Sequence, residues 1–255
     1  MTNTSLPFKQ TVVYRGVVDW SFKDRIVELR NWFDGEVVVS TWKGLEQYAM
    51  IPGVDKVSHV EDPGPGPIQN YDRQVASFFY GVTAAEGEVV CCVRTDCKLT
   101  KNIFLNFNPQ PATGKFRCLD YKIVVGNMMS IHPARMHPKD GFFLVGDWVH
   151  IGTNSDMRRF GLAYPLLDAE FLDECTERGW LLSIINQHAV TQVDASMYHR
   201  WSVSDALEAM LGNFTILNTR STLGVENLKW AFQPEFLPLY ITEAEAADLT
   251  KKMML

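Results

Sequence analysis

Apolar and polar residues change rhythm several times in the first hundred positions. "TVVYRGVV" (Thr11 to Val18) is a nearly unbroken apolar run and predicts a buried strand. "SFKDRIVELRNWF" follows with Phe22, Ile26, Leu29 and Phe33 at helical spacing. Ser21 is placed to cap this helix, Asp24 three residues on shortens the capping box, and Gly35 stops it. "EVVVSTW" (Glu36 to Trp42) and "DKVSHV" (Asp55 to Val60) predict a second and a third strand. "EDPGPGPIQN" predicts a loop, since Pro63, Pro65 and Pro67 donate nothing to a ladder. "QNYDRQVASFFYGVTAAE" returns to helical spacing through Val75, Phe78, Phe79 and Val82, and "EVVCCV" is the next strand. Strands alternating with helices predict a mostly parallel α/β sheet covered on both faces.

The second half is less regular. "LDYKIVVGNMMSIHP" and "GFFLVGDWVHIGT" predict strands, and "AYPLLDAEFLDECTERG" a helix closed by Gly179. "SVSDALEAMLGN" predicts a helix capped at Ser202 or Ser204 and ended near Gly212. "TEAEAADLTKK" opens on a capping box, Thr242 with Glu245, and closes on two lysines that suit the helix dipole. No repeat, low-complexity tract or linker divides the chain. The expectation is one α/β unit over residues 1–255, with a nucleotide-binding half at 1–100 and an acceptor or catalytic half at 101–255.

Such sheets bind ligands beyond the carboxyl ends of their strands. Those ends read Arg15-Gly16, Ser40-Thr41-Trp42, Glu61-Asp62 and Arg94-Thr95-Asp96. All four are polar, and the topology turns them toward one crevice. An arginine and an aspartate there suit a polyanion held with a metal. Asp96 offers a hard oxygen ligand for Mg²⁺ or Mn²⁺, and Arg94 or Arg73 a planar fork for phosphate. Arg73 falls in the first turns of its helix, where free N–H groups favour anions. The same spacings also suit an Arg94–Asp96 or an Arg73–Asp72 ion pair.

The net charge of -6 gives no electrostatic footprint for nucleic acid. The five cysteines, Cys91, Cys92, Cys97, Cys118 and Cys175, form no CxxC, and two of them lie in an apolar run, as suits reduced thiols in a cytoplasmic protein. The first ten residues lack the pattern of a signal peptide. No apolar stretch reaches the roughly 20 residues of a spanning helix, so any membrane contact is expected to be peripheral. Trp42, Trp148, Phe142 and Phe143 lie beside polar clusters, where aromatics stack on rings or fill the core.

"VVYRGVV", "EVVVSTWKG", "EDPG", "NYDRQVASFFYGV" and "VVCCVRTD" resemble, in order and spacing, the WavE family of lipopolysaccharide-synthesis proteins. "FFLVGDWVHIGTNSDMRR" resembles that family's second block. The helix "NxxRQ" paired with "RTD" is the specific part, and the resemblance covers most of the first 160 residues. It implies a GT-A-like glycosyltransferase, a nucleotide-sugar donor, and a surface glycan or lipid-linked glycan as acceptor. Ser40, Thr41, Trp42 and Asp62 would then meet the nucleobase or ribose, and Gly16 would let the backbone approach the nucleotide. Asn70, Arg73, Arg94, Thr95 and Asp96 would complete the donor site. One departure stands out. GT-A enzymes usually carry Asp-x-Asp at this strand end, and here it reads Arg94-Thr95-Asp96-Cys97-Lys98. Asp96 alone remains as a metal ligand, and a basic side chain could partly replace the cation.

An inverting transfer also needs a carboxylate to take the proton of the acceptor hydroxyl, and a retaining one would use such groups differently. Asp147 is the first candidate and Asp156 the second. A turn residue in "VGDW" and a helix cap in "NSDM" are the structural alternatives. His132 and His137 flank "PARM" as loop residues and lack a third zinc ligand, while His188 and His199 suit core or surface positions. Two other functions fit part of the pattern. A sugar nucleotidyltransferase would want a more glycine-rich first loop than "YRGVVDWSFKDR". A non-catalytic glycan-binding protein on a transferase fold would explain the lone Asp96.

Overall fold

The computed structural model describes residues 8–64, 70–128, 130–135, 145–162, 176–191, 200–228 and 239–253. Seven strands form one sheet in the order β3-β2-β1-β4-β7-β6-β8. β1 (Gln10–Arg15), β2 (Glu36–Trp42), β3 (Lys56–Val60) and β4 (Val89–Arg94) run parallel. β7 (Val149–Thr153) is antiparallel to β4 and to β6 (Ile123–Gly126), and β8 (Phe214–Leu217) is parallel to β6. A short β5 (Cys97–Leu99) pairs with β9 (Val225–Asn227) beside the main sheet. This is the Rossmann-like, mostly parallel α/β sheet expected from the alternating pattern. The sheet draws strands from both halves of the chain.

The apolar runs are continuous because both faces of the sheet are covered. Val13, Val38, Val90 and Cys92 pack toward α3 (Tyr71–Ala84), while Val12, Tyr14, Val37, Val39, Cys91 and Val93 pack toward α1 (Phe22–Arg30). Gly81 lets α3 lie close on the sheet, for a Cβ there would stand 2.5 Å from Val13 Cγ1. α4 (Asn154–Gly161), α5 (Thr176–His188) and α6 (Val203–Asn213) add Met157, Phe160, Trp180, Leu181 and Met210 to the α3 side.

Several local expectations change. Ser21 stands before α1 in a helical conformation with no capping bond; its hydroxyl turns to Asp19 instead, and no capping box forms with Asp24. Gly179 lies inside α5, not at its end, because the apolar run from Trp180 to Ile185 continues the helix against the core. The start of that predicted helix, residues 163–175, lies outside the described residues. β7 begins at Val149, with Asp147 in the irregular segment before it, and residues 141–144 of that predicted strand are also outside the described set.

Both later capping boxes form. Ser202 and Asp205 bond reciprocally at α6, and Thr242 and Glu245 at α7 (Glu243–Met253). Each acid also meets a cation from a distant loop, Lys115 for Asp205 and Arg135 for Glu245. The lysine bond holds the Asp205 carboxyl at about 2, and the Arg135 bond does the same for Glu245. Their stabilisation is therefore present above the unfolded values of 3.8 and 4.5 and is lost as pH falls toward 2. The urea midpoint should fall between about pH 4.5 and 2. In an Asp205→Asn/Glu245→Gln variant the neutral-pH midpoint should be lower and this acid slope flatter. Superimposable wild-type and variant curves would refute the assignment.

Candidate functional site

β1 ends at Arg15, which lies opposite Ser40 of β2 and Arg94 of β4. The register thus sets two guanidinium groups side by side at the carboxyl end of the sheet. The chain turns away at Gly16, whose φ of +117° suits glycine; a Cβ there would approach Thr95 Oγ1 to 3.1 Å. Gly16 N–H donates to Ser40 O at 2.9 Å, and Thr95 N–H to Arg15 O at 2.9 Å. These bonds splice the ends of β1, β2 and β4 together.

Two aspartates balance the two arginines. Arg94 grips Asp96 with both edges of its fork, Nε to Oδ1 at 2.9 Å and Nη2 to Oδ2 at 2.8 Å. Its Nη1 donates to Asp147 Oδ2 at 2.9 Å. Arg15 Nη2 donates to the Asp147 carbonyl at 2.5 Å and lies 3.8 Å from Asp147 Oδ2. Antiparallel β7 makes this possible. Its first residue, Val149, pairs with Val93 near the end of β4, so Asp147 just before it arrives at the crevice. Burial alone would lower the Arg94 pKa, but Asp147 and Asp96 raise it well above the usual arginine value.

Arg15 was not singled out as a binding residue by the sequence pattern. It is buried, with its guanidinium carbon 5.9 Å from the Phe78 ring and 5.8 Å from that of Trp180. Its Nη1 reaches Gln74 O at 3.4 Å, which places the first turns of α3 over this end of β1. His150 lies in the same aromatic box, against Phe78, Phe160 and Trp180. Burial first, and the Arg15 charge second, hold it neutral. The readable signal for Arg15 was its position, a charge closing an apolar run.

Ser40, Thr41 and Trp42 are buried at the end of β2, and Ser40 Oγ, Thr41 Oγ1 and Trp42 Nε1 have no hydrogen-bond partner. Trp20, in the loop after β1, is exposed and meets Tyr48 of α2 (Glu46–Ala49) edge to face at 4.8 Å. Arg73 pairs with Asp62, not Asp72, through Nε at 2.7 Å and Nη2 at 2.6 Å, and it touches Asn70 Oδ1 at 3.3 Å. Asn70 precedes α3 in the left-handed region at φ 61°. The Arg73 bond comes first among the causes that hold the Asp62 carboxyl below its usual range.

Asp156 does not join this crevice. Antiparallel β7 carries it to the opposite edge of the sheet, beside Asn154, whose N–H donates to Glu88 O just before β4. There it is fully buried and accepts from Asp120 N at 2.8 Å, Tyr121 N at 3.1 Å and Thr153 Oγ1 at 2.6 Å. It sits in the first turn of α4, with Thr153 as the cap. His132 caps a short turn through Ala134 N–H, while His137 and His199 lie outside the described residues.

The donor set does not fit a resident Mn²⁺ or Mg²⁺. Both oxygens of Asp96 and one of Asp147 already accept from Arg94, whose guanidinium holds the place between them. Among the described residues no group of three or more His, Cys, Asp or Glu side chains is placed to hold a metal ion.

Removing either aspartate should cost stability for different reasons. Asp147→Ala takes the carboxylate partner from buried Arg15 and one of three bonds from Arg94, and should lower the unfolding free energy by about 3–5 kcal/mol. Asp156→Ala leaves the Asp120 and Tyr121 N–H groups without their acceptor and should cost about 2–4 kcal/mol. Denaturant unfolding measures both, and a loss within about 0.5 kcal/mol for either would refute its structural role.

No helix among the described residues is long and apolar enough to cross a membrane. A search of curated proteins finds none that matches the chain. The model of one family matches residues 15–225, from the last residue of β1 to the first of β9, and so spans the crevice and most of the sheet. The chain belongs to the WavE lipopolysaccharide synthesis family.

Proposed function

We propose that the protein is a glycosyltransferase that moves a sugar from a nucleotide-sugar donor to a lipopolysaccharide-like surface glycan, or to its lipid-linked precursor. Membership of a lipopolysaccharide-synthesis family supports the setting. The observation that carries the reaction class is the Arg15–Arg94–Asp96–Asp147 cluster at the carboxyl ends of β1 and β4. This is where an open α/β sheet receives a nucleotide, and a guanidinium there suits a diphosphate.

In this reading the bond between the anomeric carbon and the diphosphate breaks as the acceptor hydroxyl oxygen attacks, and the hydroxyl proton passes to an oxygen of the departing diphosphate or to solvent. The charge left on the diphosphate meets Arg94 and Arg73. The base and ribose lie toward Gly16, Thr41 and Trp42, with the exposed Trp20 ring as a stacking surface. Asp62 positions Arg73 through its two-point bond. Asp147 holds the two arginines and does not serve as the base for the acceptor proton, because its carboxylate is 3% exposed and already accepts from Arg94.

A panel of UDP-, GDP- and CDP-sugars, assayed for sugar release onto glycan acceptors, tests the reading. Release from none of them, with a nucleotide-free crevice in soaked crystals, would favour a non-catalytic glycan-binding protein. Arg73→Ala should weaken binding of the cognate nucleoside diphosphate roughly 10- to 150-fold, the worth of one charge-assisted hydrogen bond. Calorimetric titration reads this directly. An unchanged dissociation constant in the folded variant would leave Arg73 as a surface partner of Asp62 alone.

A further inference from the structure

The charge cluster has an inside and an outside. Of its four side chains, Arg15 is 2% exposed, Asp147 3% and Asp96 9%, while Arg94 is 24% exposed. The part of the cluster open to the crevice is thus a cation, and the two carboxylates lie beneath it. Three of the five N–H groups of Arg94 are used, at Asp96 Oδ1, Asp96 Oδ2 and Asp147 Oδ2, which leaves two for a ligand. Those three bonds also fix the orientation of the fork, so little side-chain freedom remains to be lost on binding.

An approaching dication and an approaching anion meet different chemistry here. The dication meets a guanidinium first, and both oxygens of Asp96 and one of Asp147 are already engaged. To bind, it would have to displace a three-bonded arginine and leave that charge beside its own. The anion meets a fixed fork with free N–H groups. Behind it, the carboxylates keep Arg94 charged and in place.

We propose that Arg94 is the built-in cation of the donor site, so that the crevice takes the diphosphate of its nucleotide without a divalent metal. This rests on the reading that the crevice binds a nucleoside diphosphate. Arg94 stands in the position of the first acidic residue of an Asp-x-Asp pattern, and it supplies the positive charge that a metal between two such acids would bring.

The full chain is titrated with UDP, GDP and CDP in turn by calorimetry, once in EDTA and once in Mn²⁺. The expected result is that at least one binds in EDTA with a dissociation constant within about twofold of that in Mn²⁺. Binding in Mn²⁺ alone, or at least tenfold tighter with it, overturns the proposal and leaves the donor reading standing. Binding of none in either buffer overturns the donor reading, and the proposal with it. Arg94→Gln should lose roughly 10- to 150-fold in affinity in EDTA, and undiminished binding in that variant would refute the role of Arg94. Should the variant not fold, the wild-type protein still decides through the EPR signal of free Mn²⁺. That signal should stay at full height when protein is added. Uptake of Mn²⁺ by the wild-type chain that Asp96→Asn abolishes would overturn the proposal.

Discussion

Two arginines stand side by side where neighbouring strands end, and a parallel register leaves them no choice. Arg15 and Arg94 occupy partnered positions on β1 and β4. Like charges in a low-dielectric site repel strongly, and an unpaired buried charge costs several kcal/mol. The fold resolves this by importing carboxylates from elsewhere in the chain. Asp96 comes from the turn just beyond β4, and Asp147 from more than fifty residues downstream, delivered by the antiparallel strand beside β4. The central sheet and the charge balance are therefore one construction. Trp148 O accepts the Arg94 N–H at 3.1 Å, so backbone and side chains hold the same junction.

That balance also explains which groups remain available. Within the cluster both oxygens of Asp96 and one of Asp147 are engaged by Arg94, which keeps two further N–H groups. Farther along the same edge, Ser40, Thr41 and Trp42 are buried with polar atoms unpartnered. Each unpaired group of this kind costs about 1–3 kcal/mol, and a fold tolerates such costs mainly at functional sites. An edge that holds neutral donors and acceptors on β2 and a fixed cation on β4 supports the proposed nucleotide-sugar reading, since such a ligand has a polar neutral part and an anionic part.

How much of this was legible depends on what local sequence can encode. β2 was read from Glu36 to Trp42 and has those bounds, because an unbroken apolar run between turn residues carries its own limits. The box at Thr242 was readable because its partner lies three residues away, and at Ser202 the cap was readable as one of two serines but not its box with Asp205. Ser21 misled because the same residue type also bonds backward, to Asp19. Gly179 misled because a glycine that ends many helices is tolerated inside one whose apolar face goes on. The ion pair weighed as the alternative for Arg73 was with Asp72, its sequence neighbour, yet Arg73 pairs with Asp62 across the loop from β3 to α3. The strand ends were legible as a set, since parallel topology alone gathers them. The partners of Arg15 were not, because they depend on which strand runs backward.

The two aspartates of "FFLVGDWVHIGTNSDMRR" show how much that reversal decides. Asp147 and Asp156 flank β7, one before it and one after, and both read in sequence as acids beside an apolar strand. A strand has two ends, and an antiparallel strand presents its start where its parallel neighbours finish. Asp147 therefore meets Arg94 and Arg15 at the crevice, while Asp156 is carried the length of the sheet to its other edge. There the same chemical group does the opposite work. Asp147 accepts from Arg94 and lies beside Arg15, whereas Asp156 accepts from two amides and a hydroxyl and pins the segment at Asp120 to α4. Had β7 run parallel, the roles would exchange, and the arginines at the crevice would face an acid that opens a helix. The direction of one strand thus settles which carboxylate reaches the carboxyl ends of the parallel strands, a placement that composition and spacing leave open.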